Sequence, residues 1–239
     1  GRLDIRSTCA PSPSDPLERR RQRLTSLLGQ LALPLPGSFT ANGEIYALPI
    51  PAHRSNKPCA EPSLDELLYC AGFFDGDGCV TSDKNLRKAR LQITQCADNA
   101  SVLLLFRRIF GGGIYHMSCG QGARKHKVVW ILGGQGCRWA AGALAGVPSA
   151  KQSQLQIVKS GRPACESTGD RLASTLRLLK RQEHPEVDIE SWRYIAGFFD
   201  AEGYIRIPQR GAYIFLHVTQ KTRGVLHSIQ NFIKHECPE

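Results

Sequence analysis

The chain of 239 residues contains no apolar run near the roughly 18 residues that a membrane-spanning helix requires, so no membrane partner is expected. It has nine cysteines but no C-x-x-C pair, and the count is odd. That argues against a structural zinc site and against a disulfide framework, and predicts mostly free thiols in a reducing compartment. The glycine-containing stretch "GGQGCRW" has no following Lys-Ser or Lys-Thr. It reads as a tight turn before a helix, not as a phosphate-binding loop. His116 and His126 fall on candidate strands without metal-ligand spacing and read as surface residues.

Positive charge, by contrast, is plentiful. The chain carries 31 Lys and Arg against 21 Asp and Glu, a formal net charge of +10. This balance favours a polyanionic partner, with nucleic acid ahead of an anionic membrane. The length allows one large domain or two modest ones with a core that needs no covalent staples.

Residues 1–62 form a Pro/Ser/Arg-rich N-terminal extension that is expected to be largely irregular, with helical pattern only near 16–31. Its Arg19-Arg20-Arg21 run suits phosphate contact. Its composition resembles an organelle transit segment, which predicts a chloroplast or mitochondrial location. Residues 63–160 have regular punctuation: Ser63 and Glu66 have the spacing of a capping box, and the element order is helix, strand, strand, helix, strand, strand, helix. Residues 161–189 read as a linker with an amphipathic helix in "RLASTLRLLKRQ". Residues 190–239 then start the same order again.

The restart is a duplication. "YCAGFFDGDG" at 69–78 returns as "YIAGFFDAEG" at 194–203. Asp75 matches Asp200, Asp77 matches Glu202 and Gln95 matches Gln220, each pair 125 residues apart, and chance matches would not keep that register. Each copy has Ala-Gly in mid-helix, Ala71-Gly72 and Ala196-Gly197. Glycine there costs about 1 kcal/mol relative to alanine, which close backbone approach offsets. The two helices are therefore expected to pack nearly backbone to backbone about a pseudo-two-fold axis, with their C-termini together.

That packing sets Asp77 beside Glu202 in an electrostatically poor place. Each carboxylate faces the negative end of a helix dipole, and the two repel. Paired carboxylates ask for a proton or a cation between them, and a hard divalent ion, Mg²⁺ above all, suits oxygen ligands that leave room for water and phosphate. A metal so held beside a basic surface is what phosphodiester hydrolysis needs. For one copy the alternative is a solvated helix-ending turn; two copies in fixed register favour the paired site. On "ARLQITQ" one strand face is apolar and the other carries Arg90, Gln92 and Thr94, residue types that suit base edges in the major groove. Lys125 and Lys127 alternate with apolar neighbours on the second hairpin, and the second copy offers Arg206, His217 and Lys221 as further nucleic-acid contacts.

Both decapeptides resemble the LAGLIDADG signature of homing endonucleases and the related intron maturases, in the two-motif, single-chain form found in organelle introns. "LQITQ", "LHVTQKT" and "SAKQSQLQIVK" resemble further segments of that family, and the likeness runs from about residue 64 to 239. It implies an α+β fold of two αββαββα halves packed through their signature helices, with a saddle of two sheets over duplex DNA. It implies a specific endonuclease that cuts both strands of a long duplex site with Mg²⁺ or another divalent cation. By the same resemblance Asp77 and Glu202 bind metal. Gln95 and Gln220 stand beside the metal-bound waters, and Lys151 lies near the scissile phosphate. Ala71, Gly72, Asp75, Ala196, Gly197 and Asp200 form the structural helix interface.

The second copy departs from the pattern. After Gly203 it has counterparts for two strands and one helix, and no equivalent of Lys151. The expectation is an incomplete second half, completed by more chain or by another chain. The alternative function is a non-cleaving nucleic-acid-binding protein of the same fold, an intron maturase or a structural RNA-binding subunit of an organelle ribonucleoprotein.

Overall fold

The structure is a computed structural model. It describes residues 16–31, 34–52, 61–82, 88–118, 125–161, 168–182, 186–208 and 213–238. Most of the polar stretch at the start of the expected linker, 162–167, and residues 1–15 of the extension lie outside the described residues.

The extension opens with helix α1 (Pro16–Gln30), which buries no residue. It is followed by a hairpin of β1 (Ser38–Ala41) and β2 (Glu44–Ala47). Asn42 and Gly43 turn that hairpin at φ 52° and 79°, the left-handed conformations that an Asn-Gly pair supplies. Phe39 and Ala41 are buried, Phe39 stacks on Tyr46 at 5.5 Å, and Ile50 exchanges backbone hydrogen bonds with Ile114. Part of the extension is thus docked structure, contrary to the largely irregular expectation. The signal was the Asn-Gly pair between short alternating runs.

The first copy begins with α2 (Leu64–Asp77), whose capping box from Ser63 to Glu66 is formed. It continues through β3 (Gly78–Ser82), β4 (Ala89–Cys96), α3 (Ser101–Phe110), β5 (Gly113–Ser118), β6 (Lys127–Gly133), α4 (Gly134–Leu144) and α5 (Gln152–Ser160). The strands form one antiparallel sheet in the order β3-β4-β6-β5. Its register lines up Val80, Leu91 and Leu132 in one row and Ile93, Trp130 and Ile114 in the next. All six are buried, so this face is the core side, closed by the apolar faces of α2, α3 and α4. Helix α6 (Thr168–Arg181) follows and packs along β3.

The second copy contains α7 (Trp192–Glu202), β7 (Gly203–Arg206), β8 (Phe215–Val218) and α8 (Arg223–Glu236). Ile205 pairs with Leu216 as Val80 pairs with Leu91. The burial differs sharply. Val80 and Leu91 are fully buried, whereas Ile205 is 61% and Leu216 67% exposed. Among the described residues the second sheet has two strands, and nothing corresponding to β6 or α4 covers its apolar face. The architecture is α+β, with the two repeated helices α2 and α7 back to back, a four-stranded sheet in the first copy and, among the described residues, a two-stranded one in the second.

The helix pair forms because both mid-helix glycines are needed. A Cβ at Gly72 would collide with the Tyr194 carbonyl, and one at Gly197 with the Tyr69 carbonyl. The contacts are reciprocal, as a two-fold relation between copies requires. No helix among the described residues is long and apolar enough to cross a membrane.

Candidate metal centre and nucleic-acid interface

Asp77 and Glu202 are the last residues of α2 and α7. The helix ends meet so closely that a Cβ on Gly76 would lie 2.5 Å from the Ala201 Cβ and 3.0 Å from the Glu202 Cγ. Each acid is held by the glutamine that the duplication pairs with it. Gln95 Nε2 donates to Asp77 Oδ2 at 2.5 Å, and Gln220 Nε2 donates to Glu202 Oε1 at 3.0 Å. Gln95 lies at the end of the core-side row of β4, opposite Val128, so the strand aims it inward at the helix end.

Burial pushes the pKa of Asp77 up, against the Gln95 hydrogen bond and the nearby Lys151 ammonium. Glu202 is raised by burial and then by Asp77 itself, with Gln220 and Lys151 opposing. The Asp77 charge thus acts on Glu202, whereas the rise at Asp77 comes from burial. Each acid keeps oxygen lone pairs that its single glutamine bond does not use.

Lys151 lies immediately before α5 and folds back under the end of α2. Its ammonium donates to the carbonyls of Phe74 at 2.6 Å, Asp75 at 2.9 Å and Gly78 at 2.6 Å, with Gly76 at 3.4 Å. It also lies 5.4 Å from the centre of the Phe74 ring. Burial lowers its pKa, and Asp75, Cys79, Asp77 and Glu202 pull it back up. The cation thus offsets the negative end of the α2 dipole beneath the two acids. The resemblance put this lysine near the scissile phosphate; the structure engages its ammonium with backbone carbonyls.

Asp75 is the second anchor of that corner. Its carboxylate accepts from Ser149 Oγ at 2.7 Å, Ala150 N–H at 2.6 Å, Lys151 N–H at 3.2 Å and Tyr194 O–H at 2.7 Å. Burial raises its pKa, with the Lys151 charge the largest opposing influence and the Tyr194, Ser149 and Ala150 donors adding to it. Its copy Asp200 is exposed and accepts from Tyr69 O–H at 2.7 Å. Tyr69, Tyr194 and Ser149 were not among the sequence-derived site residues. The tyrosines open both decapeptides at the same offset of 125, which is the signal that marks them.

Strand register decides the nucleic-acid candidates. Arg90, Gln92 and Thr94 share the face of β4 opposite the core, and Lys127, paired with Cys96, shares it on β6. Arg90 Nε donates to Thr81 Oγ1 at 3.3 Å, and Thr94 Oγ1 to Met117 Sδ at 3.3 Å. Lys125 precedes β6 and pairs with Asp98 at 2.7 Å, an exposed contact off the strand ladder. In the second copy His217 stacks on Tyr204 at 4.7 Å with rings 5° from parallel, and Phe215 flanks it at 6.0 Å. Arg206 pairs with Phe215 on the same face. Lys221 is exposed and its N–H donates to Gln220 Oε1 at 2.7 Å, which ties it to the glutamine that holds Glu202.

No protein-family model matches the chain, and no curated protein matches it. Solved structures do overlap with it in part. The homing endonuclease I-CvuI in complex with its target is 20% identical, over 50% of this chain and 85% of that one, with a TM-score of 0.38. The LAGLIDADG homing endonuclease I-GzeII in complex with a DNA target is 13% identical over 63% of this chain and 64% of that one, with a TM-score of 0.39. I-SmaMI bound to an uncleaved DNA target with calcium ions is 12% identical over 71% and 72% of the two chains, with a TM-score of 0.42.

Proposed function

We propose that this protein is a LAGLIDADG-type DNA endonuclease that makes a divalent-metal-dependent double-strand cut at a long, specific duplex site. The observation that carries the reading is the convergence of Asp77 and Glu202 at the ends of two duplicated helices, each held by its own glutamine. Among the described residues no group of three or more His, Cys, Asp or Glu side chains could hold a metal ion. A pair of carboxylates does not fit zinc, which takes three or four protein ligands. It does fit Mg²⁺, which keeps several waters and takes one or two carboxylates together with phosphate oxygens.

In this reading Asp77 and Glu202 hold the cation, which when bound supplies a lowered water pKa and neutralises charge at the phosphodiester. Gln95 and Gln220 fix the carboxylate orientations. Lys151 keeps the helix end from repelling the incoming phosphate. The outward face of β3 and β4 receives the duplex, with Arg90 and Gln92 available to base edges and Lys127 to phosphate.

The test is cleavage of a randomised duplex library with Mg²⁺, run beside Asp77→Asn. Cuts at a common sequence that vanish in the variant support the reading. Folded protein that binds duplex without cutting it overturns it.

A second reading, a non-cleaving nucleic-acid-binding protein such as an intron maturase or a structural RNA-binding subunit, is favoured by one observation. Helix α1 of the extension buries no residue and leaves Arg20 and Arg23 exposed, a basic surface that suits a phosphate backbone and does not involve the acid pair. Under that reading RNA outcompetes duplex DNA, and Asp77→Asn leaves binding unchanged.

A further inference from the structure

Helix α6 joins the two copies, and its position gives it more than a connecting role. Leu176 anchors it at 2% exposure, while Arg177, Lys180 and Arg181 remain exposed. The Lys180 ammonium donates to Cys79 Sγ at 2.9 Å. Cys79 is two residues beyond Asp77 and pairs with Gln92, so its side chain belongs to the face of β3 and β4 that carries Gln92, Arg90 and Thr94. A thiol is a weak acceptor that leaves an ammonium charge largely uncompensated. Among the described residues no carboxylate is in ion-pair contact with Lys180. Lys151, the other cation near the acids, is buried and turned into backbone carbonyls. Lys180 is therefore an exposed cation that the linker adds to the outward face, on the strand that leaves the Asp77 end of α2.

We infer that α6 is part of the nucleic-acid interface and that Lys180 holds a backbone phosphate beside the Asp77 end of the site. This rests on the reading that the outward face of β3 and β4 receives duplex DNA. Lys180 and Arg181 also lie in the last turn of α6, where cations favour a helix end. If Lys180 did only that, its loss would lower thermal stability and leave binding alone.

Binding of a fluorescent random-sequence duplex, titrated over a series of KCl concentrations, separates these cases. Lys180→Gln should weaken binding several-fold at low salt. It should also flatten the slope of log K against log salt by about 0.9, the release expected for one lost phosphate contact. Lys180→Arg should keep both, and Lys234→Gln on α8 should match wild type. In wild-type protein, duplex should shield Lys180 but not Lys234 from an amine-reactive label, a readout that requires no variant to fold. Wild type that binds while Lys180→Gln has an unchanged slope, or Lys180 that labels equally with and without duplex, overturns this inference alone. Wild type that does not bind duplex overturns the functional reading and this inference with it.

Discussion

Tyr194 of the second signature helix donates its phenol to the buried carboxylate of Asp75 in the first, at 2.7 Å. Tyr69 makes the same bond in return to Asp200, also at 2.7 Å. The two bonds cross the pseudo-two-fold axis and fix how far the helices slide along each other, and hence where Asp77 and Glu202 meet. Their settings differ. Asp75 is buried and accepts three further hydrogen bonds, whereas Asp200 is exposed to solvent. Tyr194→Phe is therefore expected to cost about 1.5–3 kcal/mol, the range for a hydrogen bond to a charged group, here one that water cannot replace. Tyr69→Phe should cost less, because water replaces the phenol at Asp200. Urea unfolding of both variants checks the order; equal losses would contradict it.

The glycines give a second prediction. Gly72 and Gly197 face the carbonyls of Tyr194 and Tyr69 with no space for a methyl group. Ala at either position must push the helices apart, at about 1–3 kcal/mol for forced overpacking. For a chain of this size each kcal/mol lowers Tm by about 2–4 °C. Because helix separation also moves the acids, cleavage should fall in both variants by more than duplex binding does.

Stability should depend on pH and metal through the acid pair. Burial raises the pKa of both Asp77 and Glu202. A carboxyl whose folded pKa lies above its unfolded value favours the folded state in its protonated form. That contribution is fully present below the unfolded pKa and is lost as pH rises through the folded pKa. Metal-free protein should thus be penalised by this pair at neutral pH, and Asp77→Asn should be more stable than wild type there. Mg²⁺ binds the ionised pair, so it should raise the wild-type Tm at neutral pH and do little in acid. Thermal melts across pH with and without Mg²⁺ measure both effects. An equal Mg²⁺ shift in Asp77→Asn would place the cation elsewhere.

Lys151 is expected to act chiefly through the fold. Lys151→Met leaves the carbonyls of Phe74, Asp75 and Gly78 without their donor at the buried end of α2, and a buried polar group left unsatisfied costs about 1–3 kcal/mol. Its activity loss should therefore come with a clear fall in Tm. A melt unchanged from wild type, with cutting abolished, would return Lys151 to direct contact with the phosphate.

Much of this was legible in the sequence because it is local or repeated. The Ser63 capping box, the strand faces of β4 and the paired Asp77 and Glu202 follow from periodicity, cap spacing and an offset of 125. The bonds from Ser149 and Tyr194 to Asp75 join positions 74 and 119 residues apart, and no local pattern announces them. The burial of Lys151 was hidden for a related reason. A lysine ahead of a helix reads as exposed until the packing of α2 brings its free carbonyls overhead. The docked hairpin at Ser38–Ala47 was masked by the prolines around it, although its Asn-Gly turn is a local signal.

The central claim is that Asp77 and Glu202 form one site that does chemistry and not binding. The most direct measurement is duplex binding and cleavage side by side for Asp77→Asn and Glu202→Gln, each alone, in Mg²⁺. The account predicts that either substitution abolishes cutting while affinity stays near wild type. Cutting that survives in one of the two folded variants, or affinity lost together with cutting, would contradict it.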